Sequence, residues 1–264
     1  MRFTKMQGLG NDYLYFYGSV PEDVQSLCPR LCDRHFGVGA DGLIFIGSSW
    51  NADYSMRIFN ADGSEAEMCG NGIRCVGKFL YDKGLTRKRE LTIETQSGIR
   101  SLQLHMTTEG NRVESATVDM GRGVVVEENV VFTTGIGVGT LILVGNPHLV
   151  LFSHAVEDLP VYLWGPRIEV DERFDGGVNV EFVQVLSDTR LRMRVWERGS
   201  GVTLACGTGA CAAAFAAVKR GYCPADRPVE VVLDGGSLFV TVSRDGTVLM
   251  EGPAVTVFEG EINA

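Results

Sequence analysis

The stretch from Arg57 to Gly84 lies over Arg194 to Gly221 without a gap, 28 residues on 28, and the overlay sets Cys69 on Cys206 at an offset of 137 positions. It matches Cys69-Gly70-Asn71-Gly72 with Cys206-Gly207-Thr208-Gly209, Ile58 with Val195 and Phe59 with Trp196. A shorter correspondence upstream sets Gly10-Asn11-Asp12-Tyr13-Leu14 on Gly145-Asn146-Pro147-His148-Leu149 at an offset of 135. Two nearly equal offsets restrict the chain to two halves of one architecture. We expect an N-terminal half over residues 1–125 carrying Cys69 and a C-terminal half over residues 126–264 carrying Cys206, with the last strands able to pack back onto the first half.

The length of 264 residues suits two domains of roughly 130 each, and 45% hydrophobic content can fill two cores. Glycines punctuate short β-branched and apolar runs, at Leu43–Ile46, Tyr54–Phe59, Val178–Val185 and Leu191–Trp196, and these read as strands. Further strands are expected at Val229–Leu233, Ser237–Val242 and Val248–Met250, joined by Asp234-Gly235-Gly236 and Arg244-Asp245-Gly246 turns. The clearest helices begin just after each Cys-Gly-x-Gly. In the first, Ile73, Val76, Phe79 and Leu80 recur at helical spacing, the second is the alanine-rich run Ala210–Val218, and each ends at a matched glycine.

A net charge of −9, with no basic run longer than Arg87-Lys88-Arg89, speaks against nucleic acid as a partner and for a small molecule. The N-terminus has no apolar core of a signal peptide, and no window offers a membrane span, so we expect a cytoplasmic protein. Seven cysteines there are reduced thiols with packing, metal or catalytic work. Cys28-x3-Cys32-x2-His35 is the best metal candidate, but it has no second Cys/His pair at finger spacing, and we expect no metal.

A strand entering a glycine-rich turn and then a helix presents the turn at the helix N-terminus, where backbone N–H groups and the dipole favour negative charge. Cys69 and Cys206 occupy that place. Lowering a cysteine pKa from about 8.5 to about 7 takes roughly 2 kcal/mol, within reach of helix-end placement and hydrogen bonds. The following Gly70-Asn71 and Gly207-Thr208 can direct N–H groups at a carboxylate, glycine leaving room for close approach. Two such thiols on opposite sides of an α-carbon could remove a proton from one face and return one to the other. Like charges close together oppose two thiolates, so the working state is one thiolate and one thiol.

At these residues the chain resembles diaminopimelate epimerase. The resemblance rests on Asn60-Ala61-Asp62-Gly63-Ser64 running on to Met68-Cys69-Gly70-Asn71-Gly72, and on Glu197-Arg198-Gly199 running on to Ala205-Cys206-Gly207-Thr208-Gly209-Ala210-Cys211. It extends to Gly8-Leu9-Gly10-Asn11-Asp12, Gly145-Asn146-Pro147-His148, Val178-Asn179-Val180 and Glu251-Gly252-Pro253-Ala254, essentially the whole chain. It implies an α/β (α+β) fold of two pseudo-symmetric halves, each a strand-rich sheet or barrel around a central helix. It implies a homodimeric enzyme needing neither pyridoxal nor any other cofactor, nor a metal, which interconverts LL- and meso-diaminopimelate on the route to lysine and peptidoglycan. By the resemblance, Cys69 and Cys206 are the catalytic pair, assisted by His148 and Glu197, and Gly70, Asn71, Gly207 and Thr208 donate to the reacting carboxylate. Asn11, Asn60, Asn146, Asn179, Glu197 and Arg198 are then substrate-contacting residues. Independently, Arg198 offers a bidentate fork for a carboxylate at the far end of a substrate with two amino-acid groups.

Two positions depart from the family pattern: Gly42 stands where some members carry glutamine, and Val202 where an acid is usual. Three other functions stay open from the residues alone. They are a racemase of proline, hydroxyproline or histidine on the same fold, a thiol redox sensor, and a non-catalytic amino-acid-binding module.

Overall fold

Both Cys-Gly-x-Gly turns run straight into helices of equal length, which end on the same device. In this computed structural model, which describes residues 1–132 and 137–262, the two helices span Gly70–Asp82 and Gly207–Lys219. Each is followed by a glycine in the left-handed region, Gly84 at φ 71° and Gly221 at φ 73°. The Gly84 N–H donates to Tyr81 O and the Leu85 N–H to Leu80 O, while Gly221 and Tyr222 donate to Val218 O and Ala217 O. This is the Schellman arrangement, and its αL position is why glycine closes the repeat.

The chain divides into two compact units, Met1–Val118 with Gly252–Ala264, and Asp119–Glu251. In the first, β1 (Arg2–Gly8) and β2 (Asn11–Tyr17) form a hairpin, and α1 (Val24–Cys32) leads to β3 (Gly42–Gly47), which lies parallel to β2. Next come β4 (Tyr54–Asn60), antiparallel to β3, and the two-residue β5 (Glu65–Ala66). The helix Gly70–Asp82, α2, precedes β6 (Glu90–Thr95), parallel to β4, then β7 (Gly98–Met106) and the start of β8 (Val113–Arg122).

The second unit repeats this order. After β9 (Val124–Phe132), which lies antiparallel to β10 (Gly137–Val144), β10 and β11 (Asn146–Phe152) form the hairpin that corresponds to β1–β2. After α3 (Val161–Glu169), β12 (Asn179–Ser187) lies parallel to β11, with β13 (Arg190–Glu197) antiparallel to it and β14 (Gly201–Val202) on the end of β13. The helix Gly207–Lys219, α4, precedes β15 (Pro228–Leu233), parallel to β13, then β16 (Gly236–Val242) and β17 (Thr247–Pro253). The last strand, β18 (Val255–Glu261), pairs antiparallel with β1 and so belongs to the first unit.

The fold is therefore mixed α/β, strand-rich, with a central helix in each half. α4 packs against β10, β11, β12, β13, β15 and β16, and its residues Ala210–Ala217 are all buried, so it is apolar all round as a core helix must be. α2 packs on β1, β2 and β7, and Gly77 lets it approach Leu102 and Leu104, which a Cβ there would strike. The shorter α1 and α3 cover the other face of their sheets and share the 137 offset down to an internal proline, Pro29 and Pro166.

Candidate functional site

Cys69 is the N-cap residue of α2. Its extended backbone (φ −138°, ψ 113°) turns the chain into the helix, and its sulfur accepts the Gly72 N–H at 3.3 Å. The thiol donates to Asn11 Oδ1 at 3.3 Å, while Asn11 Nδ2 donates to Asp41 Oδ2 at 2.8 Å, which fixes the amide. The Tyr13 hydroxyl and the Asn71 N–H also point to the sulfur. Behind them lies Arg74, fully buried, donating to Gly70 O at 3.1 Å, Asn71 Oδ1 at 3.0 Å and Pro253 O at 3.2 Å. Burial raises the Cys69 thiol pKa, against which the Gly72 and Tyr13 hydrogen bonds and the Arg74 charge pull it down. Asn60 ends β4, and its amide donates to Ser64 Oγ at 3.0 Å, across the Asp62–Ser64 turn.

Cys206 holds the same place on α4, at φ −112° and ψ 113°, and accepts the Gly209 N–H at 3.3 Å. Thr208 Oγ1 lies 3.5 Å from the sulfur. Burial and the Glu197 and Glu181 carboxylates push the pKa of this thiol well up. Glu197 ends β13, where the Thr203 hydroxyl donates to it. Asn146 Oδ1 faces His148 Nε2 at 2.8 Å, and His148 Nδ1 faces Glu181 Oε1 at 2.7 Å. Asn179 bridges two segments, donating to Pro147 O at 2.9 Å and accepting the Arg198 N–H at 3.0 Å. The exposed Arg198 side chain reaches Gly176 O at 3.2 Å.

Of the residues singled out from the sequence, Asn11 and Asn71 thus meet Cys69, and Thr208 and Glu197 act on Cys206, at the N-terminal ends of the central helices, while Asn60 contacts Ser64 and Arg198 reaches Gly176 O. Glycine at Gly72 and Gly209 leaves room for the side chain packed beside each turn, since a Cβ would lie 2.7 Å from Ile44 Cδ1 in the first and 2.7 Å from Glu181 Oε1 in the second. Among the described residues no group of three His, Cys, Asp or Glu side chains is placed to hold a metal ion; Cys28 and Cys32 are buried in α1 while His35 is exposed.

The family model described as diaminopimelate epimerase matches residues 3–126 and 140–257. The chain belongs to the diaminopimelate epimerase family. It is 50% identical over 267 residues to the diaminopimelate epimerase of Parabacteroides distasonis, covering 99% of this chain and 98% of that one. It is 46% identical over 280 residues to that of Methanococcus maripaludis, covering both chains in full. A probable proline racemase from Agrobacterium radiobacter shares the fold at a TM-score of 0.75 and 16% identity, over 99% of this chain and 92% of that one.

Both departures from the diaminopimelate epimerase pattern have local causes. A Cβ on Gly42 would lie 2.3 Å from Phe59 O and 2.8 Å from the Tyr13 ring, so glycine there makes room for the tyrosine whose hydroxyl serves Cys69. Val202 packs against Trp196 and the core beneath α3. Three neighbours of the cysteines went unread in the sequence: Tyr13, Arg74 and Glu181. Glu181 did leave a signal, an acid inside the apolar run Val178–Val185.

Proposed function

We propose that this protein is an isomerase that interconverts LL- and meso-diaminopimelate by proton transfer at the α-carbon, serving lysine and peptidoglycan precursor synthesis. The observation that carries the reading is the pair of cysteines capping α2 and α4 with the same geometry, in a chain 46% to 50% identical to diaminopimelate epimerases. One sulfur takes the α-proton from one face and the other returns a proton to the opposite face, with His148 and Glu197 assisting. The two thiols differ in their surroundings: hydrogen bonds and the Arg74 charge lower the Cys69 pKa against its burial, whereas burial and two carboxylates push that of Cys206 well up. Gly70, Asn71, Gly207 and Thr208, in the first turns, offer N–H groups to the carboxylate next to the reacting carbon. Asn11, Asn60, Asn146, Asn179, Glu197 and Arg198 select a substrate with charged groups at both ends.

The same reading makes the enzyme cofactor-independent, cytoplasmic and homodimeric. Seven free thiols suit a reducing compartment, and among the described residues no helix is long and apolar enough to cross a membrane. Light scattering on the eluting protein tests the dimer. The decisive experiment follows solvent deuterium entering the α-position of LL-diaminopimelate, proline and histidine, without added cofactor. Exchange with diaminopimelate alone is expected, and Cys69→Ala and Cys206→Ala should each abolish epimerisation while leaving substrate affinity measurable; full turnover by either variant would overturn the two-base mechanism.

A further inference from the structure

Superimposing the two halves by sheet register shows where they diverge. In the parallel pair β2–β3, Tyr13 stands opposite Gly42 and Tyr15 opposite Ile44; in β11–β12, His148 stands opposite Asn179 and Val150 opposite Glu181. Tyr13 and His148 therefore occupy equivalent places, as do Ile44 and Glu181. The glycines confirm the second equivalence, since a Cβ on Gly72 would meet Ile44 Cδ1 at 2.7 Å and one on Gly209 would meet Glu181 Oε1 at 2.7 Å. The first unit builds this spot from an isoleucine, so the architecture does not require an acid there.

Glu181 and His148 are both completely buried, and Glu181 Oε2 has no hydrogen-bond partner among the described residues. A buried carboxylate with an unpaired oxygen is costly to leave charged, and burial raises the pKa of Glu181 accordingly. Its other oxygen lies 2.7 Å from His148 Nδ1, and His148 Nε2 lies 2.8 Å from Asn146 Oδ1. With the Asn146 amide oriented so that Oδ1 faces the ring, Nε2 carries a hydrogen and donates to it. One further proton lies between Oε1 and Nδ1, and with it the buried pair has no net charge. The Asn146 amide is then held with its NH2 group turned away from the imidazole.

We propose that Glu181 is a positioning residue: through the proton it shares with His148 it holds Nε2 as a donor, and so fixes Asn146 with its NH2 group offered to a substrate carboxylate. Without that proton a neutral His148 would keep its hydrogen on Nδ1, Nε2 would accept, and the Asn146 amide would turn over to present its oxygen. The charged and titratable groups facing this chain from neighbouring elements are Glu197 at the end of β13 and Cys206 at the head of α4. The equivalent tyrosine needs no such partner, since it has one polar atom rather than two.

The role of Asn146 rests on the proposed reaction, whereas the tautomer of His148 does not, and the test separates them. Glu181→Met, which keeps volume but removes the inner partner, is expected to raise KM for LL-diaminopimelate about tenfold with a smaller loss in kcat, since a hydrogen bond to a charged ligand group is forfeited. Glu181→Gln can still donate to Nδ1, and is expected to restore KM to within about threefold of the parent enzyme. Side-chain 15N spectra of the histidines should show His148 protonated at Nε2 in the parent and in E181Q. Equal KM values for E181Q and E181M, or an unprotonated Nε2 in the parent, would overturn the proposal. If E181M does not fold, the parent and E181Q decide alone, with E181Q required to keep both the Nε2 signal and the KM. If the parent does not turn over diaminopimelate the functional reading fails, and the 15N spectra still decide the inference.

Discussion

At the scale of single residues the two sulfurs share a backbone and differ in company. Cys69 has a buried guanidinium, a phenol and helix N–H groups about it; Cys206 has carboxylates. The Tyr13 hydroxyl lowers the pKa of Cys69, so its removal raises it and the thiolate forms only at higher pH. With a hydrogen bond to a charged group worth about 1.5 kcal/mol, Tyr13→Phe should move the ascending limb of the kcat/KM profile up by about one pH unit. Thiolate absorbance titrated in parallel checks the cause; an unmoved limb would remove Tyr13 from this role. The cysteine turns were legible in the sequence because glycine and cysteine at helix starts each have few structural reasons to recur. Tyr13 and Arg74 were not, since an aromatic in a strand and an arginine in a helix are ordinary until tertiary packing buries them beside a thiol.

At the scale of elements, the strands and helices that could be read were those whose periodicity agreed with their punctuation. Val178–Val185 became β12 and Leu191–Trp196 became β13; both central helices are present but start inside the Cys-Gly-x-Gly motif, at Gly70 and Gly207, and end two residues before the matched glycines. α3 escaped because Gly165-Pro166 reads as a break. The glycine is there for packing, since a Cβ would lie 2.4 Å from the Trp196 ring. The Schellman glycines offer a clean test, because a Cβ at Gly84 or Gly221 meets nothing within 4 Å and only the backbone conformation is strained. Each change to alanine should cost about 1 kcal/mol in chemical denaturation and leave kcat unchanged. A loss well above that would mean the turn carries more than its φ angle.

At the scale of the whole molecule, duplication was legible from matched offsets, and the last strands were expected to be able to pack back onto the first half, but the partner β1 and its register were not legible, because strand partners distant in sequence leave no local signal. That pairing runs from Arg2↔Glu261 to Gln7↔Val255 and is reinforced where Phe3 meets the Phe258 ring edge-on at 5.8 Å. Deleting residues 255–264 should therefore speed hydrogen exchange along β1 and β2 while leaving the amides of β11, β12 and α4 protected. Uniform loss of protection would show that the units do not hold their structure separately. The same strand has a consequence in time. The second unit is contiguous in sequence and the first is not, so during synthesis Asp119–Glu251 emerges whole while the earlier unit waits for its last strand. At 5–20 residues per second that wait is roughly 7–30 s. For that interval the nascent chain presents a bare β1 edge that carries the charged residues Arg2 and Lys5. The half translated first is the half completed last.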